Sequence, residues 1–233
     1  MTNKSYLMYQ RNRIKEGDNL PKDTFFNLNE EKQEKVVRSA IGQFAKNGYE
    51  KANIAIIARN AGIAKGSMYQ YFENKKELFL YSVQWTIKFF VTKYSTFIKP
   101  GDADLFDYLY ESSTQILKQI EEERELALFI QDVLLGKYST VKDQSLDVML
   151  QSGDDYILKM IGDGKANGSI RADMDDNILA MFMTGASMKI KEYILNKARS
   201  EEKDIISGYE SYQKDIKAML ELLKNGMGEK NVY

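Results

Sequence analysis

The 233-residue chain contains no cysteine and no histidine. The first absence excludes disulfides, thiolate metal sites and cysteine nucleophiles, and it suits a reducing compartment, so a cytoplasmic location is expected. The second excludes histidine-based triads, histidine-ligated zinc and imidazole proton shuttles. Most hydrolase and metalloenzyme chemistries thereby lose their usual groups, and no catalytic activity, cofactor or metal is expected. Only two prolines and fifteen glycines interrupt the chain, which predicts long helices. No apolar run approaches the ~20 residues of a membrane span, and the polar N-terminus lacks the core of a signal peptide. What is present is 43% hydrophobic and 29% charged, the balance of a globular protein with a buried core.

Net charge is −1, but it is unevenly spread. Residues 1–81 carry 14 basic and 9 acidic side chains, and the remainder is correspondingly acidic. Between Lys51 and Lys76 five bases (Lys51, Arg59, Lys65, Lys75, Lys76) face one acid, Glu73. A basic head on an acidic body is able to bind a polyanion with one end. An excess of this size also arises by ordinary fluctuation, so charge leaves both readings open.

The apolar residues recur at helical spacing almost throughout, with no alternating strand pattern. Residues 1–26 have no period and contain Gly17 and Pro21, which predicts a flexible arm. Asn27 with Glu30 has capping-box spacing ahead of Val37, Ala40, Ile41, Phe44 and Ala45, a helix that Asn47-Gly48 should end. A short helix follows from Asn53, broken at Gly62, and then a second over Ala64–Tyr71. Asn74 with Glu77 opens a long helix through Trp85, Phe90 and Tyr94. Further helices are expected near 104–122, 124–137, 140–165, 175–199 and 204–224.

The pair of short helices is the part that bears on function. Ala55, Ala58 and Ala61 let the two axes approach, and Gly62 can take the left-handed conformation that a sharp reversal requires. Ala64–Tyr71 turns Met68, Tyr71 and Phe72 one way and Lys65, Gly66, Tyr69 and Gln70 the other, with Ser67 also offered on the outer face. Gln suits the adenine edge and Lys suits guanine or phosphate. Gly66 costs a helix about 1 kcal/mol relative to Ala, a cost explained if a sugar–phosphate backbone must come close. A plain packing hairpin of two helices fits the same pattern.

The stretch Val37–Leu78 contains Phe44, Asn47-Gly48-Tyr49, Ile57-Ala58, Ala61-Gly62-Ile63, Lys65-Gly66-Ser67-Met68-Tyr69, Tyr71-Phe72 and Lys75-Lys76-Glu77-Leu78. In register and spacing it resembles the DNA-binding domain of the tetracycline-repressor (TetR) family over about a quarter of the chain. The resemblance implies an all-α fold, with a three-helix DNA-binding head over 27–80 and a helical effector-binding and dimerisation body over 81–233. It implies that Asn53 stands where the family usually has a phosphate-contacting Thr. Lys65, Gly66 and Ser67 then lie near bases and phosphates, with Tyr69 and Tyr71 at aromatic positions that meet the DNA backbone or brace the helix. Lys75 matches a lysine at the fourth helix N-terminus, where a phosphate is also favoured. Gln70 completes the expected DNA-binding set from its own chemistry. One departure is Ala64 where a Ser or Thr cap is usual, which removes about 1 kcal/mol of capping. Tyr71, beside Phe72, also fits a mostly core position.

By the same resemblance the last two helices pair with their symmetry mates, through Phe182, Ala186 and Ile190 on one and Tyr209, Ile216 and Leu220 on the other. Each stripe also fits intramolecular packing. Trp85, Phe89, Phe129, Met149, Tyr156, Met160 and Phe182 are the aromatic and Met residues put forward for an adaptable apolar effector pocket, although such residues are equally at home in a core. Asp132, Asp154 and Asp155 fit either a cationic ligand or solvent.

Other patterns carry less. The glycine-rich run Gly162–Gly168 lacks phosphate-loop spacing and reads as a turn between helices, and Asp173-Met174-Asp175-Asp176 reads as a helix N-cap rather than a calcium loop. Lys4, Arg11, Arg13 and Lys15 suit either a minor-groove arm or a disordered tail. Glu16-Gly17-Asp18 is also compatible with translation of a ribosome-binding sequence ahead of a true start at Leu20, which an intact mass including Met1 would exclude. The reading that joins these observations is a homodimeric repressor that binds a double-stranded DNA operator and is released by a small apolar or amphipathic effector, with no membrane partner. The alternative is a helical ligand-binding or scaffold protein that has lost DNA binding.

Overall fold

The computed structural model describes residues 21–94, 104–107, 109–111, 122–201 and 209–227. Among them the regular structure is helical, with no β-strand, and no helix is long and apolar enough to cross a membrane. In chain order the helices are α1 (Asp23–Phe26), α2 (Glu30–Lys51), α3 (Ile54–Ala61), α4 (Lys65–Tyr71), α5 (Lys75–Tyr94), α6 (Arg124–Leu134), α7 (Lys142–Ala166), α8 (Asp176–Ser200) and α9 (Tyr209–Met227). Residues 105–107 and 109–111 are helical as well, and a 3-10 turn, Ser139–Val141, precedes α7.

The flexible arm expected over 1–26 is corrected at its C-terminal end. Residues 23–26 form α1, and Phe25 is wholly buried against Phe26, Tyr71, Phe72 and Tyr81, with ring centroids 5.7, 5.9, 5.0 and 5.4 Å away. The N-cap of α2 moves from Asn27 to Asn29, whose side chain accepts from the Lys32 N–H at 2.9 Å. Asn27 and Leu28 are committed to closing α1, donating their N–H groups to Asp23 and Phe25 carbonyls. The α2 stripe of Val36, Val37, Ala40, Ile41 and Phe44 is wholly buried. Gly48, at φ 71° and ψ 169°, breaks α2 where Asn47-Gly48 was expected to end it.

Asn53 caps α3 by accepting from the Ala55 N–H at 2.8 Å, and Gly62 ends it in the left-handed conformation at φ 73°. The Ile63 N–H then returns to the Ala58 carbonyl at 2.9 Å, which closes the reversal and delivers the chain into α4. At the start of α5 the Asn74 side chain accepts from the Glu77 N–H at 2.9 Å, and the Glu77 carboxylate reaches back to the Glu73 N–H. Glu77 is buried, and desolvation pushes its carboxyl above the ordinary glutamate value against the opposing hydrogen bond.

One core cluster runs from the head into the body. It joins Phe25, Ile41, Phe44, Ile57, Met68 and Phe72 to Phe79, Leu126, Phe129, Tyr138 and Met149. The expected division at residues 80/81 falls inside α5, which carries buried side chains of this cluster on both sides of it. A second cluster joins Leu105, Phe106, Met160, Ile161, Leu179, Met183, Leu220 and Leu223. The glycine-rich run at 162–168 is also corrected: α7 continues to Ala166, and the turn begins only at Asn167-Gly168, where Gly168 has φ 78°. Gly164 sits inside that helix because a Cβ there would come within 2.9 Å of Ile170. Asp175 caps α8, accepting from Asn177 N–H at 2.9 Å, as its sequence position suggests.

Candidate nucleic-acid interface

Two short helices joined by the Gly62 turn present one polar face to solvent. Met68, almost wholly buried, and Phe72 anchor α4 in the head core. Lys65, Gly66 and Gln70 are exposed, and the Tyr69 ring is 49% exposed. Ser67 is half-buried. A Cβ built on Gly66 meets nothing within 4 Å, so its surface lies open to a close approach from outside. The helix has no side-chain cap at Ala64. Lys51 and Arg59 are exposed on the same basic segment.

Three of the expected contact residues have internal work as well. Asn53 is exposed but spends its carbonyl on capping α3. Tyr71 is half-buried with its ring 5.9 Å from Phe25, which places it as a brace as much as a contact. Lys75 turns back onto the head: its Nζ donates to the Glu50 carbonyl at 2.8 Å and lies 4.8 Å from the centre of the Tyr49 ring. From the helix start where a phosphate contact was expected, it braces the end of α2 against the start of α5. The cause is local: the break at Gly48 leaves carbonyls at the end of α2 that a nearby ammonium satisfies.

Of the seven residues put forward for an effector pocket, Trp85, Phe89, Phe129 and Met149 belong to the first cluster or pack against it, Tyr156 and Met160 go with the second, and Phe182 stands on the surface. Trp85 and Phe89 stack at 5.2 Å beneath the Arg38 guanidinium, which lies 5.7 and 5.1 Å from their ring centres. Phe129 and Met149 are buried in the cluster shared by head and body, whereas Tyr156 and Met160 belong to the second cluster. Phe182 is 54% exposed and lines neither.

The interface residues also divide. Leu220 is 7% exposed, buried within its own chain, and Ala186 and Ile216 pack against the same cluster. Ile190 packs against Ile194 and Tyr212. The side chain of Tyr209 lies outside the described residues, as do those of Asp154 and Asp155. The outward stripe of α8 is instead Ile178, Met181, Phe182 and Tyr193, all large and exposed. Packing of α8 on α9 turns Leu220 toward its own chain's core and leaves Phe182 facing outward.

Sequence reasoning missed the junction between head and body. Arg38, on α2, donates to Glu123 at 2.8 Å and to Glu34 at 2.6 Å, and Lys93 at the end of α5 donates to Glu123 at 3.0 Å. Burial pushes the Glu123 carboxyl up, but hydrogen bonds and charge from Arg38 and Lys93 outweigh it and hold it below the ordinary 4.5. Such a carboxylate adds stability above its unfolded value and loses it as pH falls through its folded value. Between pH 7 and strong acid, the advantage of the protein over Glu123→Gln in melting temperature should therefore shrink, the loss starting as pH falls past the ordinary 4.5. Thermal melts at the two pH values check this; a gap undiminished in acid would mean that the charge contributes nothing.

Residues 36–81 match the family model for bacterial regulatory proteins of the tetR family. The chain is 31% identical over 70 residues to the fatty acid metabolism regulator protein of Bacillus subtilis (strain 168), covering 30% of this chain and 32% of that relative's length. Its fold is similar to a TetR family transcriptional regulator from Chloroflexus aurantiacus J-10-FL, with 25% identity, a TM-score of 0.51, and coverage of 91% of this chain and 100% of that one. It is also similar to the transcriptional regulator FadR from Bacillus subtilis in complex with stearoyl-CoA, at 19% identity, a TM-score of 0.56, and coverage of 83% and 98%. Residues 36–81 thus form a head of the tetR family kind, carried on an all-helical chain whose fold is similar, along nearly its whole length, to that of a TetR family transcriptional regulator.

Proposed function

We propose that the protein is a homodimeric repressor that binds a double-stranded DNA operator and is released by an amphipathic long-chain acyl effector, an acyl-CoA thioester being the leading class. The observation that carries the DNA-binding half is the outer face of α4, where Lys65, Tyr69 and Gln70 stand exposed around the open surface of Gly66. A recognition helix laid in the major groove offers this combination of base-reading and phosphate-binding groups. A dimer supplies two such helices, set about 34 Å apart or a multiple, to read successive half-sites. An effector that shifts the heads changes the spacing and weakens binding.

The acyl class is supported by the names of two similar proteins, one a fatty acid metabolism regulator and one solved with stearoyl-CoA. A body rich in Met and aromatic side chains is compatible with an apolar chain.

The test is binding to DNA flanking the protein's own gene, under salt titration, with and without stearoyl-CoA. Tight, salt-sensitive binding that outcompetes bulk DNA is expected, together with its release by the thioester. Lys65→Ala/Tyr69→Ala should weaken operator binding about a hundredfold, at ~1–3 kcal/mol for each good contact. Uniformly weak binding to every sequence, unchanged in the double variant, would put the DNA-blind scaffold ahead. Operator binding indifferent to the thioester would remove the effector assignment alone.

A further inference from the structure

The recognition helix is poorly equipped to hold its own shape. At seven residues α4 is about two turns, has no side-chain N-cap at Ala64, contains Gly66, and carries no acid in its first turn or base in its last. Helices this short are unstable in isolation, and their last four carbonyls have no partner within the helix. Here the Met68 carbonyl accepts from the Phe72 N–H at 2.8 Å. The other three are filled from residues about 46–49 positions earlier in the chain. Lys22 Nζ donates to the Tyr69 carbonyl at 3.0 Å, the Thr24 hydroxyl donates to the Gln70 carbonyl, and the Lys22 N–H donates to the Tyr71 carbonyl at 2.8 Å. Phe25, wholly buried against Tyr71 and Phe72, pins this segment in place.

We propose that residues 22–25 form a strap that caps the recognition helix from outside and sets its pitch against DNA, so that Lys22 and Thr24 are positioning residues for operator selectivity. This rests on the DNA-binding reading above. The ammonium of Lys22 also complements the negative end of the α4 dipole, where α4 supplies no base of its own. Removing the strap's donors frees α4 to fray and tilt. That penalises binding to the one duplex that requires a fixed helix more than binding to duplexes in general.

The experiment uses the full chain and the duplex that the wild-type protein selects from a randomised pool, with random-sequence duplex as the reference. Lys22→Met keeps the side-chain stem and the backbone N–H, and Thr24→Val keeps the shape of the side chain. The expected result for the double variant is about tenfold weaker binding to the selected duplex, a change equivalent to ~1.4 kcal/mol, with random-duplex binding and the salt slope unchanged. Amide exchange in residues 65–71 should accelerate while the other head helices keep their protection, and Thr24→Ser should restore the Thr24 share. If Lys22 instead contacts phosphate, both duplexes weaken together and the salt slope falls by about 0.9, which overturns the strap. Wild-type selectivity undiminished in the double variant overturns it too. A wild-type chain that selects no duplex overturns the DNA-binding reading and the strap's role with it.

Discussion

Phe79→Ala is expected to cost ~3–5 kcal/mol and to lower the melting temperature by roughly 10–15 °C. The Phe79 ring is wholly buried, with centroids 4.9 Å from Phe44 and 5.4 Å from Tyr49 on the head side. On the other side it lies 5.6 Å from Phe129 and 5.0 Å from Tyr138. All four pairs are edge-to-face, a geometry that adds to the area term for burying each ring. Truncation leaves a cavity between two elements that cannot both collapse onto it, because α2 and α6 are each held by their own stripes. Phe79→Leu should cost about 1–1.5 kcal/mol, since it retains most of the volume. Denaturant unfolding of the three proteins measures the series. An alanine variant within 1 kcal/mol of the parent would mean that head and body do not rely on this ring.

Met181→Asp/Phe182→Asp is expected to convert a dimer into monomers with little change in the stability of the fold. Met181 is 67% exposed and Phe182 54% exposed, so neither contributes much to its own chain's core. In the proposed dimer each would be buried against the partner's α8, and two-fold symmetry counts every substitution twice. At ~1.5–3 kcal/mol for burying such a side chain, losing several raises the dimer dissociation constant by at least about a thousandfold. Unpaired carboxylates placed in an apolar interface add to the loss. Sedimentation equilibrium on parent and variant decides it, with circular dichroism to confirm that the fold survives. Leu220→Asp is the contrasting control, because that residue is buried inside its own chain and should unfold rather than dissociate the protein.

Both variants depend on features that differ in how far the sequence discloses them. Phe44 sits in a helical stripe whose inward direction follows from spacing alone, whereas Phe79 lies in a stretch of α5 buried on every side, which periodicity does not orient. Asn53, Gly62 and Asn74 carry their conformations in their side chains, or in the lack of one, so caps and turn were legible one residue at a time. The outward set Lys65, Tyr69 and Gln70 follows from the inward anchor Met68 by the period of the helix. The division between Phe182 and Leu220 did not follow, because α8 and α9 are apolar on more than one side, and periodicity does not say which side meets the same chain.

The remaining differences share one cause. Lys75 was read from its place at a helix start, yet its ammonium found the Glu50 carbonyl 25 residues earlier. Lys22 and Thr24 showed no period at all, because their partners are backbone carbonyls that every residue type carries. Arg38 and Glu123 are one base and one acid among many until the chain brings them to 2.8 Å. The sequence by itself determined most of the helices, the caps at Asn53 and Asn74, the Gly62 reversal and the polar outer face of α4, because those depend on spacing within a few residues. The tertiary structure alone decided the strap on α4, the inward turn of Lys75, the Arg38–Glu123–Lys93 junction and the exposed stripe of α8. Each of these is a contact between groups far apart in the chain, and close packing of the helices chooses among many chemically equivalent partners.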